Sequence, residues 1–129
     1  MKAILKYPGA KWRVADWIIS CFPEHKVYCE PFFGSGAVFF KKKPSYIETI
    51  NDRDGNIVNL FEVCREFPEE LSAAINMTPF AREEFLNCYE MNVTDPIERA
   101  RRTLVRFHQS FGTSNSSKNS WRNVQTYGG

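Results

Sequence analysis

Two glycines one residue apart, Gly34-Ser35-Gly36, stand between the stretch from Lys26 to Phe33 and the apolar Ala37-Val38-Phe39-Phe40. Glycines at the junction of a strand and a helix let a ligand come close to the backbone and leave the first helical amides open to an acceptor. The spacing is neither a dinucleotide fingerprint, which asks for a third glycine where Phe39 stands, nor a P-loop, which asks for Gly-Lys followed by Ser or Thr. Asp52 follows Gly36 by 16 residues, at the end of the next apolar stretch. A carboxylate there can accept from both hydroxyls of a ribose, so the turn and Asp52 together read as an adenosine site at the edge of a parallel sheet. The bland alternatives are an ordinary tight turn for the glycines and a turn or helix cap for the acids beside Gly55, the reading favoured for Asp54.

These residues need elements to hold them. Trp12, Ala15, Ile19 and Phe22 recur at helical spacing before Pro23, which predicts a helix over about residues 11 to 22. Lys26 to Glu30 reads as a strand, 37 to 43 as a short helix and Tyr46 to Ile50 as a second strand. Ile57, Leu60, Phe61 and Cys64 mark a helix that stops before Pro68. A β-α-β-α series implies a parallel sheet with helices on its faces. Further on, Thr78-Pro79 and Asp95-Pro96 each read as a cap followed by proline at the first helical position, with Glu98 completing a capping box on Asp95. In the second of these helices Ile97, Ala100, Leu104, Phe107 and Phe111 form an apolar stripe, and Arg99, Arg102 and Arg106 line another face. The polar stretch from Thr113 to Ser120 shows no packing pattern.

With 129 residues, 43% hydrophobic and 25% charged, the chain can bury a core and is not compositionally disordered. No apolar run is long enough for a membrane helix and the start lacks a signal-peptide core, so a cytoplasmic protein is expected. Cys21, Cys29, Cys64 and Cys88 include no Cys-x-x-Cys pair, and His25 and His108 add no ligand cluster; free buried thiols are expected, with no metal. Residues 1 to 94 hold 11 Lys and Arg against 13 Asp and Glu, whereas residues 95 to 129 hold 6 against 2. The positive charge gathered at the C-terminal end points to a polyanion, a solvated charged face being the commoner alternative.

Three segments carry a family resemblance. Lys6-Tyr7-Pro8-Gly9-Ala10-Lys11-Trp12, Glu30-Pro31-Phe32-Phe33-Gly34-Ser35-Gly36 and Ile50-Asn51-Asp52 resemble, in order and spacing, the first three motifs of the Dam-type (class D12) DNA adenine methyltransferases, particularly their phage-associated branch. The Asp95-Pro96 helix and Trp121-Arg122 also look like that branch. The resemblance implies S-adenosyl-L-methionine as cofactor on an α/β fold, an incomplete Rossmann-like methyltransferase sheet followed by a helical segment. Residues 1–67 would be the N-terminal part of the cofactor-binding domain and 68–129 the helical start of the target-recognition region. Tyr7 and Lys11 would border the cofactor, Glu30, Pro31, Phe32, Gly34 and Gly36 would surround its methionine moiety, and Asp52 would take its ribose. Lys11 can neutralise a carboxylate and Phe32 can line an apolar wall. A solvated N-terminal arm is the alternative for Tyr7 and Lys11, and a core position for Phe32.

The partner implied is double-stranded DNA. Arg102 and Arg106, with Arg99 and Arg101, would meet phosphates, a solvated helix face being the alternative for each. Asn115, Lys118, Asn119 and Arg122 would contact bases and backbone from the polar loop, an ordinary flexible surface loop being the alternative. The family's catalytic Asp/Asn-Pro-Pro-Tyr/Phe motif does not occur; Asp95-Pro96-Ile97-Glu98 lacks the second proline and the aromatic. The chain is therefore expected to be an N-terminal portion without its own catalytic residues, ending inside the target-recognition segment. It is also expected to self-associate through an exposed sheet edge. The competing reading is a non-catalytic DNA-binding or interaction module whose glycine turn is only structural.

Overall fold

A computed structural model describes residues 2–111 and 120–121. The chain divides into two compact units, Met1–Gly55 and Asn56–Gly129. The first is a mixed helix and sheet unit. Helix α1 spans Ala15–Ser20, strand β1 Val27–Glu30, helix α2 Ala37–Lys41 and strand β2 Ile47–Ile50. β1 and β2 pair in parallel, with Val27 opposite Ile47 and Glu30 opposite Ile50, as the β-α-β pattern requires. The pairing runs past the strand ends, because Asn51 N–H donates to Glu30 O at 3.0 Å and Phe33 N–H to Asn51 O at 2.9 Å.

The two sheet faces differ. Tyr28 and Glu30 share the face that meets α2: Lys42, at its end, places its ammonium 4.2 Å from the centre of the Tyr28 ring. That ammonium is buried, with the Lys43 carbonyl, Ser45 Oγ and the Glu48 carboxylate as acceptors. Its neighbour Lys41 instead reaches Asp16 Oδ2 at 2.7 Å and the Trp12 carbonyl at 3.2 Å, tying α2 to the start of α1. On the opposite face Val27, Cys29, Ile47 and Thr49 are all exposed.

Helix α1 is shorter than the spacing predicts. The residues from Trp12 to Val14 form turns, and the Trp12 indole turns to Ser35 instead of continuing a helical stripe. Phe22 packs beside His25 and Tyr28 beyond the helix end.

The second unit is helical: α3 (Gly55–Glu66, beginning at the boundary residue), α4 (Pro68–Asn76), α5 (Arg82–Asn87) and α6 (Pro96–Gln109), followed by the two-residue strands β3 (Ser110–Phe111) and β4 (Ser120–Trp121), paired antiparallel. Pro68 ends one helix and opens the next, since proline lacks an N–H but suits a first helical turn. Thr78 does not cap a helix. Its hydroxyl donates back to Ala74 O at the end of α4, and α5 starts only at Arg82. Asp95 does cap α6, accepting from the amides of Ile97 and Glu98, but the Glu98 side chain turns to two arginines and leaves the capping box half made. α6 packs on α4 and α5 and buries Ala100, Thr103, Val105 and Gln109; Phe111 is 70% exposed, because the chain has left the helix for β3 and taken Phe111 off the apolar stripe. Phe85, Cys88 and Val105 form a small core with Tyr89 and Trp121 against it.

Cysteine burial also departs from expectation. Cys88 is buried, but Cys21, beyond the end of α1, and Cys29, on the bare sheet face, are exposed. No helix among the described residues is long and apolar enough to cross a membrane.

Candidate functional site

Parallel strands end on the same side, so the loops after β1 and β2 are neighbours. Gly34 and Gly36 have φ of +51° and +66°, where residues with a side chain are strained. The Gly34 amide donates to Asp52 Oδ2 at 2.7 Å, and the other carboxylate oxygen accepts from Asp54 N–H at 2.9 Å. Tyr7 lies on the same residue: a Cβ added to Gly34 would sit 3.1 Å from its ring. Trp12 Nε1–H donates to Ser35 Oγ at 3.1 Å. The three sequence segments that carry the family resemblance thus meet at one turn.

The close approaches that glycine permits here are made by the protein itself. Tyr7 covers Gly34, and the rings of Phe33 and Phe40 occupy the space where a Gly36 side chain would go. Phe33 to Val38 are all buried. Phe32, by contrast, is 84% exposed, so of two adjacent phenylalanines the second is core and the first is free for another partner. Pro31 is also exposed.

Lys11 is exposed and its ammonium donates to Gly9 O at 2.7 Å, which leaves two protons for another acceptor. Glu30 is placed differently. Its carboxylate accepts from the Tyr28 hydroxyl at 2.8 Å and from the Phe39 amide, tying β1 to the first turn of α2. Burial, opposed by these bonds and by Lys42, raises its pKa above the usual carboxylate value. Burial and the nearby carboxylate likewise push the Tyr28 hydroxyl up.

The arginines of α6 have internal partners. Arg101 bonds Glu98, Glu84 and Thr78 Oγ1. Arg102 bonds Glu98 and the carbonyls of Asn87 and Glu90, Arg99 bonds Asn56 Oδ1, and the Arg106 guanidinium lies 4.7 Å from the centre of the Tyr89 ring. They knit the helices of the second unit. Asn115, Lys118, Asn119 and Arg122 lie outside the described residues. Among the described residues no group of three or more His, Cys, Asp or Glu is arranged to hold a metal ion.

The sequence did not foretell that the Trp12 indole would donate to Ser35 at the turn. A donor-bearing indole ahead of a helix was the available signal, but its apolar body fitted the helical stripe equally well.

The family model for D12 class N6 adenine-specific DNA methyltransferases matches residues 7–127. Among curated proteins, a type II methyltransferase of Lactococcus lactis subsp. cremoris is 31% identical over 72 residues, 55% of this chain and 25% of that protein. A DNA adenine methylase of Haemophilus influenzae is 36% identical over 66 residues, 50% of this chain and 22% of the relative. Each aligned stretch spans about a quarter of the relative's length or less. Because the family match extends from Tyr7, whose ring lies on the turn, through both compact units, the chain belongs to the D12 class N6 adenine-specific DNA methyltransferase family.

Proposed function

We propose that this chain binds S-adenosyl-L-methionine beside the Gly34 turn and serves the transfer of its methyl group to the exocyclic amine of adenine in double-stranded DNA. The observation that carries this reading is the meeting of Tyr7, Gly34 and Asp52 at one turn. The donor set fits the ligand. Each Asp52 oxygen accepts one amide and keeps a lone pair for a ribose hydroxyl. Lys11 suits a carboxylate, and exposed Phe32 offers an apolar wall beside Pro31. Tyr7, Gly34 and Gly36 shape the turn, and Glu30 acts by fixing α2 against β1. The cofactor supplies an electrophilic methyl group; the residues of this chain hold and orient it.

In the same reading β1 and β2 belong to a Rossmann-like sheet, residues 1–67 form the cofactor-binding part and residues 68–129 begin target recognition. DNA contact falls to Asn115, Lys118, Asn119 and Arg122, with Arg102 and Arg106 ordering the helix that leads to them. Self-association through the exposed β1–β2 edge is part of the proposal, and light scattering that shows only a single-chain mass over a wide concentration range sets that part aside.

The test is calorimetric titration of the full chain with S-adenosylhomocysteine. Asp52→Ala is expected to weaken binding by about 1.5 to 3 kcal/mol, the range for a hydrogen bond to a charged group. Equal affinity of the two proteins removes Asp52 from the site. One observation favours the alternative of a non-catalytic DNA-binding or interaction module: Tyr7, Phe33 and Phe40 already fill the spaces that the glycines leave. Duplex binding with no cofactor binding would decide for that alternative. The 129-residue chain by itself is expected to transfer no labelled methyl group to DNA, since none of its residues matches the family's acceptor of the adenine amino protons.

A further inference from the structure

We propose that Asp52 is a positioning residue for the glycine turn, in addition to any hydroxyl it accepts from a ligand. The main-chain ladder between the two loops ends with the bond from Phe33 N–H to Asn51 O. At the next step Gly34 turns to positive φ, and its amide finds the Asp52 side chain instead of a backbone carbonyl. The carboxylate therefore supplies a further rung where the ladder stops. Its second oxygen accepts from Asp54 N–H, which fixes the orientation of the group. Gly34 is buried, so water is poorly placed to replace the acceptor if it is removed. One side chain thus sets the shape of the loop after β1 and the presentation of its own remaining lone pairs.

Asparagine and alanine at position 52 separate the two roles. Asn keeps an oxygen for the Gly34 N–H but loses the charge and the second equivalent acceptor, whereas Ala loses both. The effect on affinity rests on the cofactor reading above; the effect on the turn does not. The experiment uses the ¹⁵N-labelled full chain without ligand, as wild type, Asp52→Asn and Asp52→Ala, and follows the Gly34 amide by its resonance and its hydrogen exchange. S-adenosylhomocysteine affinity is then measured on the same samples.

In the wild type the Gly34 amide is expected to be protected although it lies in a loop. Asp52→Ala should move its resonance upfield and speed its exchange about tenfold or more, the loss of one hydrogen bond to a charged acceptor. Asp52→Asn should hold the resonance near that of the wild type and retain an affinity between those of the other two. A wild-type Gly34 amide that exchanges as an unprotected one overturns the proposal without any variant. So does an unchanged Gly34 resonance in a folded Asp52→Ala. If Gly34 responds as expected and none of the three proteins binds S-adenosylhomocysteine, the positioning role is upheld and the cofactor reading falls.

Discussion

Gly36→Ala tests whether the turn is held by packing as well as by backbone conformation. The new Cβ would lie 2.5 Å from Phe33 Cζ and 2.7 Å from Phe40 Cε2. Neither ring can yield alone, because Phe33, Phe39 and Phe40 pack edge to face with centroid separations of 5.3 to 5.9 Å. Overpacking of this kind costs about 1–3 kcal/mol. The left-handed conformation at φ +66° adds about 1–2 kcal/mol for a residue with a Cβ. The total, ~2–5 kcal/mol, is a large share of the ~5–15 kcal/mol that holds a typical domain together. Gly34→Ala is the internal control: its φ is also positive, but the atoms nearest its Cβ belong to the Tyr7 ring, at 3.1 Å. That contact can relax, so the cost should stay near the conformational part, about 1–2 kcal/mol. Urea denaturation followed by far-UV circular dichroism, with hydrogen exchange of β1 and β2 amides to localise the loss, measures both. A Gly36→Ala protein within about 0.5 kcal/mol of the wild type, the range of ordinary surface substitutions, refutes the packing argument. Equal losses for the two alanines would refute the distinction between them.

Three other outcomes are expected. Hydrogen bonds from Arg101 and Arg102, against some burial, hold the Glu98 pKa down at about 2; its contribution to stability is present above the ordinary carboxylate range and is lost as pH falls toward 2, so Glu98→Gln should flatten the acid limb of a stability–pH curve between about pH 4.5 and 2. Asp95→Ala removes the acceptor for the Ile97 and Glu98 amides and should cost about 1 kcal/mol by denaturation, whereas Asp95→Asn should cost less. Burial pushes the Cys88 thiol up to about 12, so a disulfide reagent at neutral pH should label exposed Cys21 and Cys29 and reach Cys88 only when the protein unfolds, as mass spectrometry of labelled peptides would show.

What the sequence revealed followed from how local each signal is. The turn between strand and helix and the Asp95 cap each rest on residues within a few positions of one another, and the parallel β1–β2 pair on two short apolar runs flanking that turn and helix; each has its counterpart in the structure. Thr78-Pro79 misled because a threonine before proline looks alike whether its hydroxyl serves the following helix or closes the preceding one. Only the Ala74 carbonyl distinguishes the two. The arginines of α6 were legible as charge but not as structure, since Glu84, Asn87 and Glu90 meet them only once α5 packs on α6. At the turn the spacing of Gly34, Gly36 and Asp52 suggested a ligand site, but not that Tyr7, Phe33 and Phe40 would fill the glycine spaces. Those contacts depend on how the N-terminal arm and α2 fold over the turn, information that no window of sequence contains.

Lys41-Lys42-Lys43 look like three copies of one residue, and a mutational scan should find them to be three different positions. Lys41 holds a partly solvated carboxylate, a task that arginine can share. Lys42 is enclosed by a ring, a hydroxyl, a carbonyl and a carboxylate, partners gathered around a compact ammonium that a larger, planar guanidinium would have to displace. Lys43 takes part in that enclosure through its main-chain carbonyl, and its exposed side chain should tolerate replacement. A uniform run of basic residues thus conceals a steep gradient of constraint, with the least replaceable residue in the middle.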